Sequence, residues 1–130
     1  MFFILHITVM AISALGILTG ISVAMFFRKK KYWLKIHKSV NLLSLGGFSL
    51  GIIMAFIYVA DSSKNHLDGI HQMTGLIAFM IALCAFMMGH YQFKAKNKLS
   101  ARTAHRWLGR ISLLAFLIVI VFGLMLINIF

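Results

Sequence analysis

The sequence has no proline, one cysteine and only two acidic residues among its 130. The single cysteine, Cys84, excludes an intrachain disulfide and a metal site made of four cysteines. Both acids, Asp61 and Asp68, lie outside the long apolar runs of the chain. A small multidrug transporter also has four helices in a chain of similar length, but it needs a carboxylate inside the membrane for proton coupling. The absence of such a carboxylate argues against that class.

Apolar residues, in contrast, make up 62% of the chain. This share far exceeds that of an ordinary soluble domain, and long uncharged apolar runs are typical of proteins whose solvent is the lipid bilayer. The net charge of +11 would suit a nucleic-acid partner in a soluble protein. Here the basic residues lie between the apolar runs, so we predict the bilayer as a partner and no nucleic acid.

Four apolar runs organise the chain, and each approaches or exceeds the ~20 residues with which a helix crosses the hydrocarbon core. The runs cover residues 3–27, 40–60, 70–93 and 104–130, and the connections cover 28–39, 61–69 and 94–103. The first run lacks the positive start of a signal peptide, so we interpret it as a span. Because short connections make successive helices antiparallel neighbours, the predicted fold is an all-α membrane protein, a four-transmembrane-helix up-down bundle forming a single domain over 1–130.

Basic residues are distributed unequally between the two ends of these helices. Six Lys or Arg residues lie between 28 and 38 and six between 94 and 110, whereas the middle connection has only Lys64. Cytoplasmic connections of membrane proteins carry the excess of Lys and Arg. The distribution therefore predicts that both termini and the connection 61–69 are extracytoplasmic.

Four of the six histidines lie near the N-terminal ends of the four runs: His6, His37, His71 and His105. Ionisable side chains inside a membrane are costly and commonly mark function. Because the helices alternate in direction, His6 and His71 are predicted at the outer level, and His37 and His105 at the cytoplasmic level. Helices 1 and 3, like helices 2 and 4, are diagonal partners in such a bundle. Each level thus offers two imidazoles facing each other across the bundle axis, as bis-histidine ligation of haem requires.

Glycines recur at fixed distances from these histidines. The first two helices share the pattern H-x9-G-x3-G, and the last two share H-x3-G-x13-G, as internal repeats would. The glycines of the first pattern are Gly16, Gly20, Gly47 and Gly51, and those of the second are Gly75, Gly89, Gly109 and Gly123.

Helix geometry places the later glycines near the histidine face, but at the other end of the helix. At ~100° and ~1.5 Å per residue, Gly89 lies on the face of His71 about 27 Å away, and the last glycines of the other pattern lie about 21 Å from their histidines. We predict that Gly51 and Gly123 leave room for a porphyrin at the outer level, and Gly20 and Gly89 at the cytoplasmic level. The alternative is that these small residues only allow close helix packing.

The segments that carry these residues resemble a known family. They read HITVMAISALGILTG, KIHKSVNLLSLGG, HQMTGLIAFMIALCAFMMGHYQF and RTAHRWLGRISLL. They are similar to the four-helix core of the eukaryotic-type cytochrome b561 family, which includes ascorbate-dependent transmembrane reductases, ferric reductases and DOMON-linked forms. The resemblance implies two non-covalent haem b groups. Their iron would be bound axially by His6 with His71 and by His37 with His105, the pairing that the bundle geometry also predicts.

The resemblance implies transmembrane electron transfer by an oxidoreductase, from a cytoplasmic-side or membrane donor to an extracytoplasmic acceptor, with ferric-reductase-like activity as one form. The sequence identifies no catalytic residue. The 130 residues do not include the two flanking helices of the animal and plant ascorbate enzymes or a soluble redox domain. The donor is therefore open among ascorbate, a quinol and another reductant. We expect a minimal form in a prokaryotic inner membrane, acting alone, as a homodimer or as a subunit of a redox complex.

Two other classes are left open by the sequence. One is a haem b membrane anchor or quinone-linked subunit of a larger redox complex. The other is an assembly subunit without a cofactor, whose histidines hydrogen-bond between helices. The two remaining histidines, His66 and His90, are open between contact with a redox partner and simple exposure at the membrane surface.

Side chains beside the ligands have weaker assignments. Lys38 and Arg106 follow the cytoplasmic histidines directly, so they are candidates to pair with haem propionates or an anionic donor, or else to anchor the helices at the interface. Each ligand must be a neutral imidazole whose second ring nitrogen donates to a backbone carbonyl or a side chain. Thr74 and Ser112 are the side chains near enough in sequence to be considered.

Overall fold

The computed structural model describes residues 1–62 and 65–128. Within these residues it contains four helices: α1 (Phe2–Phe26), α2 (Trp33–Asp61), α3 (Ile70–Tyr91) and α4 (Lys98–Leu126). Each helix is long and apolar enough to cross a membrane. The prediction of an all-α membrane protein with four spans is therefore confirmed. Lys64 and the last two residues of the fourth predicted span lie outside the described residues.

Two helices begin earlier than the apolar runs predict. α2 begins at Trp33 rather than at 40, and α4 begins at Lys98 rather than at 104. Lys and Arg have high helix propensity, and their long side chains can reach the headgroup region from a helix end. The Asn97 side chain also caps α4 by accepting a hydrogen bond from the Ser100 N–H at 3.0 Å. The basic segments therefore lengthen these two helices, and the histidines near them are held by regular backbone.

The chain forms two compact units, Met1–His66 and Leu67–Phe130. The first is a hairpin of α1 and α2, and the second is a hairpin of α3 and α4. In each hairpin the histidine near the start of one helix contacts the far part of the other, so the two helices are antiparallel. The union of both hairpins in one domain, and the side of the membrane that the termini face, stay predictions.

The first hairpin is built around a close approach of small residues. A Cβ atom at Gly16 would meet the Ser44 hydroxyl, and a Cβ atom at Gly47 would meet the Ser13 hydroxyl. Both serines are buried. The two contacts are equivalent, because Ser13 and Gly16 each precede their counterpart in α2 by 31 residues. The hairpin thus has a local two-fold relation between its helices, and glycine at these positions lets the backbones approach.

The second hairpin repeats this reciprocal arrangement with different packing residues. The residues that α3 and α4 bury are Ala78, Ala82 and Ala85 from α3, and Ala101, Ser112, Phe116 and Val119 from α4. Equivalent positions are here 34 residues apart, as His71 is from His105. In both hairpins the pattern of histidine and glycine seen in the sequence therefore corresponds to a local two-fold relation.

Candidate functional site

In the first hairpin, each candidate ligand contacts a backbone carbonyl of the opposite helix. The Nδ1 atom of His6 lies 2.8 Å from the Gly51 carbonyl oxygen, and the Nδ1 atom of His37 lies 2.8 Å from the Gly20 carbonyl oxygen. Both histidines are half-buried. Each therefore meets a glycine in the C-terminal part of the neighbouring helix.

The second hairpin holds its two histidines in the same way. The Nδ1 atom of His71 lies 3.2 Å from the Val119 carbonyl oxygen, and that of His105 lies 2.9 Å from the Ala85 carbonyl oxygen. In all four helices the accepting residue lies fourteen positions after the helix's own histidine. Each helix therefore supplies an imidazole near one end and a carbonyl acceptor toward the other.

Small residues make these four carbonyl oxygens reachable. A helical carbonyl oxygen is already bonded to the N–H four residues later, and the side chain of that residue leans back toward it. A second donor reaches the oxygen most easily where this side chain is small. The residue four positions after the acceptor is Ala24, Ala55, Gly89 or Gly123 in the four cases. The sequence therefore leaves space for a donor at each of these carbonyl groups.

Gly89 and Gly123 lie directly against the imidazole rings of their hairpin. A Cβ atom at Gly89 would come within 2.8 Å of Cε1 of His105, and a Cβ atom at Gly123 within 3.0 Å of Cε1 of His71. Contacts of Cβ atoms below 3.0 Å are essentially never seen in proteins, and those just above it are rare. The imidazole ring would therefore have to move. Glycine at these two positions gives the imidazole its place. Their predicted role in making room for a porphyrin stays a prediction.

Gly20 and Gly51 accommodate the residue one turn after the histidine of the other helix. A Cβ atom at Gly20 would lie 2.6 Å from Oδ1 of Asn41, and a Cβ atom at Gly51 would lie 2.5 Å from Sδ of Met10. Both glycines are buried in the first hairpin. The carbonyl of each glycine thus accepts a hydrogen bond from the histidine of the other helix, and the missing side chain leaves space for the residue four positions after that histidine. The contact of each glycine with a porphyrin stays a prediction.

The four contacts determine which ring nitrogen of each histidine carries a proton. A carbonyl oxygen can only accept, so Nδ1 is the donor, and in the neutral form of the ring Nε2 then carries the lone pair that binds a metal. Metal-bound histidines commonly donate their other N–H to a carbonyl, which fixes the ring orientation. In all four cases this acceptor is a backbone carbonyl of the other helix. Thr74 donates to the Ile70 carbonyl at 2.7 Å, and Ser112 is buried in the seam of its hairpin.

The two histidines of one hairpin lie too far apart to share one iron. His37 contacts Gly20, which follows His6 by fourteen residues, and fourteen residues of helix span about 21 Å. The same spacing separates His71 from Ala85, the residue that His105 contacts. Within the described residues, no cluster of three or more His, Cys, Asp or Glu side chains could hold a metal ion. A haem iron needs only two axial ligands from the protein, so the imidazoles at the two ends of each hairpin fit that group.

Basic residues accompany two of the four histidines. Lys38 follows His37 and is half-buried, whereas Arg106 follows His105 and is exposed. Arg110, one turn further along α4, has its guanidinium 5.2 Å from the centre of the Trp107 ring. Positive charge is therefore present beside both histidines at the starts of α2 and α4, but the pairing of Lys38 and Arg106 with propionates stays a prediction.

The other two histidines make local contacts. The Nδ1 atom of His90 lies 3.1 Å from the Phe86 carbonyl oxygen of its own helix. The His66 ring stacks on Phe56, with the ring centres 5.1 Å apart. Both histidines are exposed, and neither contact involves one of the four candidate ligands.

Four apolar helices, each with an imidazole that contacts a backbone carbonyl of the other helix in its hairpin, are the arrangement expected of a multi-pass membrane cytochrome. The family model for eukaryotic cytochrome b561 matches residues 2–103. The chain therefore belongs to the eukaryotic cytochrome b561 family. Membership implies haem b binding and electron transfer across a membrane. No curated protein and no solved structure matches the chain.

The extent of the match bears on individual residues. Residues 2–103 include His6, His37 and His71, and His105 lies just beyond them. The assignment of His105 rests on its equivalence with His71 and on its contact with Ala85. The description of the family as eukaryotic gives no support to a prokaryotic inner membrane, which stays a prediction.

Proposed function

We propose that the chain binds two haem b groups non-covalently, one through His6 and His71 and the other through His37 and His105, and carries electrons between the two membrane faces. The observation that supports this most directly is the set of four Nδ1–H groups bonded to backbone carbonyls. When bound, haem supplies a one-electron Fe(III)/Fe(II) couple. The protein orients the four imidazoles through these hydrogen bonds.

The pairing of ligands follows from the position of each histidine along its helix. One hairpin contributes one imidazole near each of its ends, so each iron needs one ligand from each hairpin. Successive spans cross the membrane in alternating directions, and His6 and His71 both lie at the starts of odd-numbered helices. The first and third histidines therefore belong to one membrane face, and the second and fourth belong to the other.

The direction of transfer rests on the distribution of charge. The basic residues beside His37 and His105 support a cytoplasmic position for that end. Lys38 and Arg106 would bind haem propionates or attract an anionic donor there. The donor is ascorbate, a quinol or another reductant on the cytoplasmic side or in the membrane, and the acceptor is extracytoplasmic, with ferric iron as one candidate substrate.

Haem quantitation of the purified protein tests the proposal. We expect two haem b per chain, extractable without breaking a covalent bond because the sequence has no C-x-x-C-H attachment motif. A value near zero would overturn the proposal, and a value near one would remove one of the two sites.

Reconstitution in sealed vesicles tests the transfer step. Protein alone should reduce external ferricyanide at the expense of internal ascorbate, and vesicles without protein are the control. Haem-loaded protein that is inactive with internal ascorbate and with a membrane quinol, yet is reduced by dithionite, would instead favour a subunit that works only within a larger complex.

A further inference from the structure

The two-fold relation of the first hairpin is broken at one polar position. His6 and His37 are equivalent, and the residues one turn after them, Met10 and Asn41, are separated by the same 31 residues. The Asn41 amide lies 2.9 Å from Nδ1 of His37. At the equivalent place Met10 presents a thioether, a much weaker hydrogen-bonding group, against Gly51. The amide beside His37 therefore has a thioether as its counterpart beside His6.

The Gly20 carbonyl determines how the Asn41 amide must be oriented. This carbonyl can only accept, so the Nδ1 atom of His37, 2.8 Å away, carries a proton. The NH2 group of Asn41 cannot donate to a nitrogen that already carries one. An amide exchanges its nitrogen and oxygen by a half-turn about its last bond. The consistent arrangement has Oδ1 of Asn41 facing Nδ1–H, which then donates to two oxygen atoms.

Close packing keeps the amide at this position. A Cβ atom at Gly20 would lie 2.8 Å from Cγ of Asn41, so the amide rests on the α1 backbone where a side chain is missing. Asn41 itself is half-buried. Side-chain rotation away from His37 is therefore restricted by α1.

We propose that Asn41 lowers the reduction potential of the haem held by His37 through its contact with Nδ1 of that histidine. The inference rests on the proposed haem ligands. Stronger acceptance of the Nδ1 proton gives the imidazole more imidazolate character and makes Nε2 a better electron donor. A stronger donor stabilises Fe(III) over Fe(II), which lowers the potential. Asn41 touches the ligand rather than the iron, so it is a positioning residue.

Redox titration of reciprocal variants tests this role. Asn41→Met gives His37 the neighbour that His6 has, and Met10→Asn gives His6 the neighbour that His37 has. The first should raise the potential of the His37 haem and the second should lower that of the His6 haem. We expect the ratio of oxidised to reduced haem at fixed potential to change up to tenfold, or about 59 mV for one electron. The haem at the other end of the hairpin should keep its potential in each case.

Two controls make the result decisive. The His6→Ala variant, which retains only the haem of His37 and His105, assigns the titration steps. Asn41→Asp keeps an oxygen acceptor in place, so its potential should stay at or below that of the unmodified protein, unlike Asn41→Met. The electron paramagnetic resonance spectrum of the oxidised His37 haem should change in Asn41→Met and resemble the His6 haem more closely.

The outcomes separate this inference from the proposed function. Unmodified protein without haem would overturn both. Two haems with unchanged potentials in Asn41→Met would overturn the role of Asn41 alone. If Asn41→Met loses haem, the Met10→Asn variant tests the proposal instead. An unchanged potential of the His6 haem in Met10→Asn would then contradict the proposal, because His6 would have gained the acceptor.

Discussion

The His105 imidazole occupies the space that a side chain at Gly89 would fill. A Cβ atom at Gly89 would lie 2.8 Å from Cε1 of the ring, while Nδ1 of the same ring lies 2.9 Å from the Ala85 carbonyl oxygen. Both contacts come from one face of α3. The position of this imidazole and the proton on its Nδ1 atom are therefore determined together by residues one helical turn apart.

The Gly89→Ala variant should lose the haem of His37 and His105 and keep the other. The added methyl group forces the ring aside, at a cost on the order of 1 kcal/mol in rotamer strain and about 1 kcal/mol for the bond to Ala85. Haem content and a two-step redox titration measure the loss.

Gly75→Ala is the matched control on the same helix. A Cβ atom at Gly75 would lie 3.7 Å from Cγ1 of Val119, an ordinary contact, so this variant should keep both haems. Equal loss of both haems in Gly89→Ala would mean that Gly89 serves general helix packing instead.

The two ligand pairs should be separable by mutation. His37→Ala or His105→Ala should remove one haem, and His6→Ala or His71→Ala should remove the other, because the pairs share no ligand and lie about 21 Å apart along a helix. Redox-resolved absorption spectra distinguish the two. The assignment would be wrong if His37→Ala or His71→Ala left both haems bound with unchanged spectra.

The adjacent glycines Gly46 and Gly47 should differ sharply in their tolerance of leucine. A Cβ atom at Gly47 would meet the Ser13 hydroxyl, whereas one at Gly46 has nothing within 4 Å in its hairpin. Gly47→Leu should destabilise the protein by about 1–3 kcal/mol through overpacking, and both haems should be lost together on heating. Thermal unfolding in detergent measures this, with Gly46→Leu as the control. Similar unfolding temperatures for the two variants would contradict the close contact of α1 with α2 at Gly47.

Periodicity and composition were sufficient to predict the four spans and the placement of one histidine near the start of each. The spacing patterns placed Gly20 at the level of His37 but assigned it only to making room for a porphyrin, which stays a prediction. The hydrogen bond between the Gly20 carbonyl and His37 was not predicted. Helix starts were missed because Lys and Arg mark the end of an apolar run without ending a helix. Hydropathy alone therefore placed the start of α2 at 40 instead of Trp33.

The acceptors of the four imidazoles were not identified as individual residues, because a backbone carbonyl belongs to every residue. The available signal was indirect: a small residue four positions after the acceptor, as with Gly89 after Ala85. Asn41 was also missed, although an amide within an apolar run is unusual and its counterpart in the repeat, Met10, is apolar. Alignment of the two helices at the repeat distance would have exposed that difference.

The constant interval of fourteen residues between imidazole and acceptor fixes the distance and the angle between these two groups on each helix. Insertion or deletion of one residue within that interval would turn one end of the helix by about 100° relative to the other and shift it by about 1.5 Å. A single change in length would therefore displace either the helix's own histidine or the carbonyl that accepts from the histidine of the other helix. The length of this interval is therefore constrained by the partner helix, in addition to the close contacts that constrain positions such as Gly47.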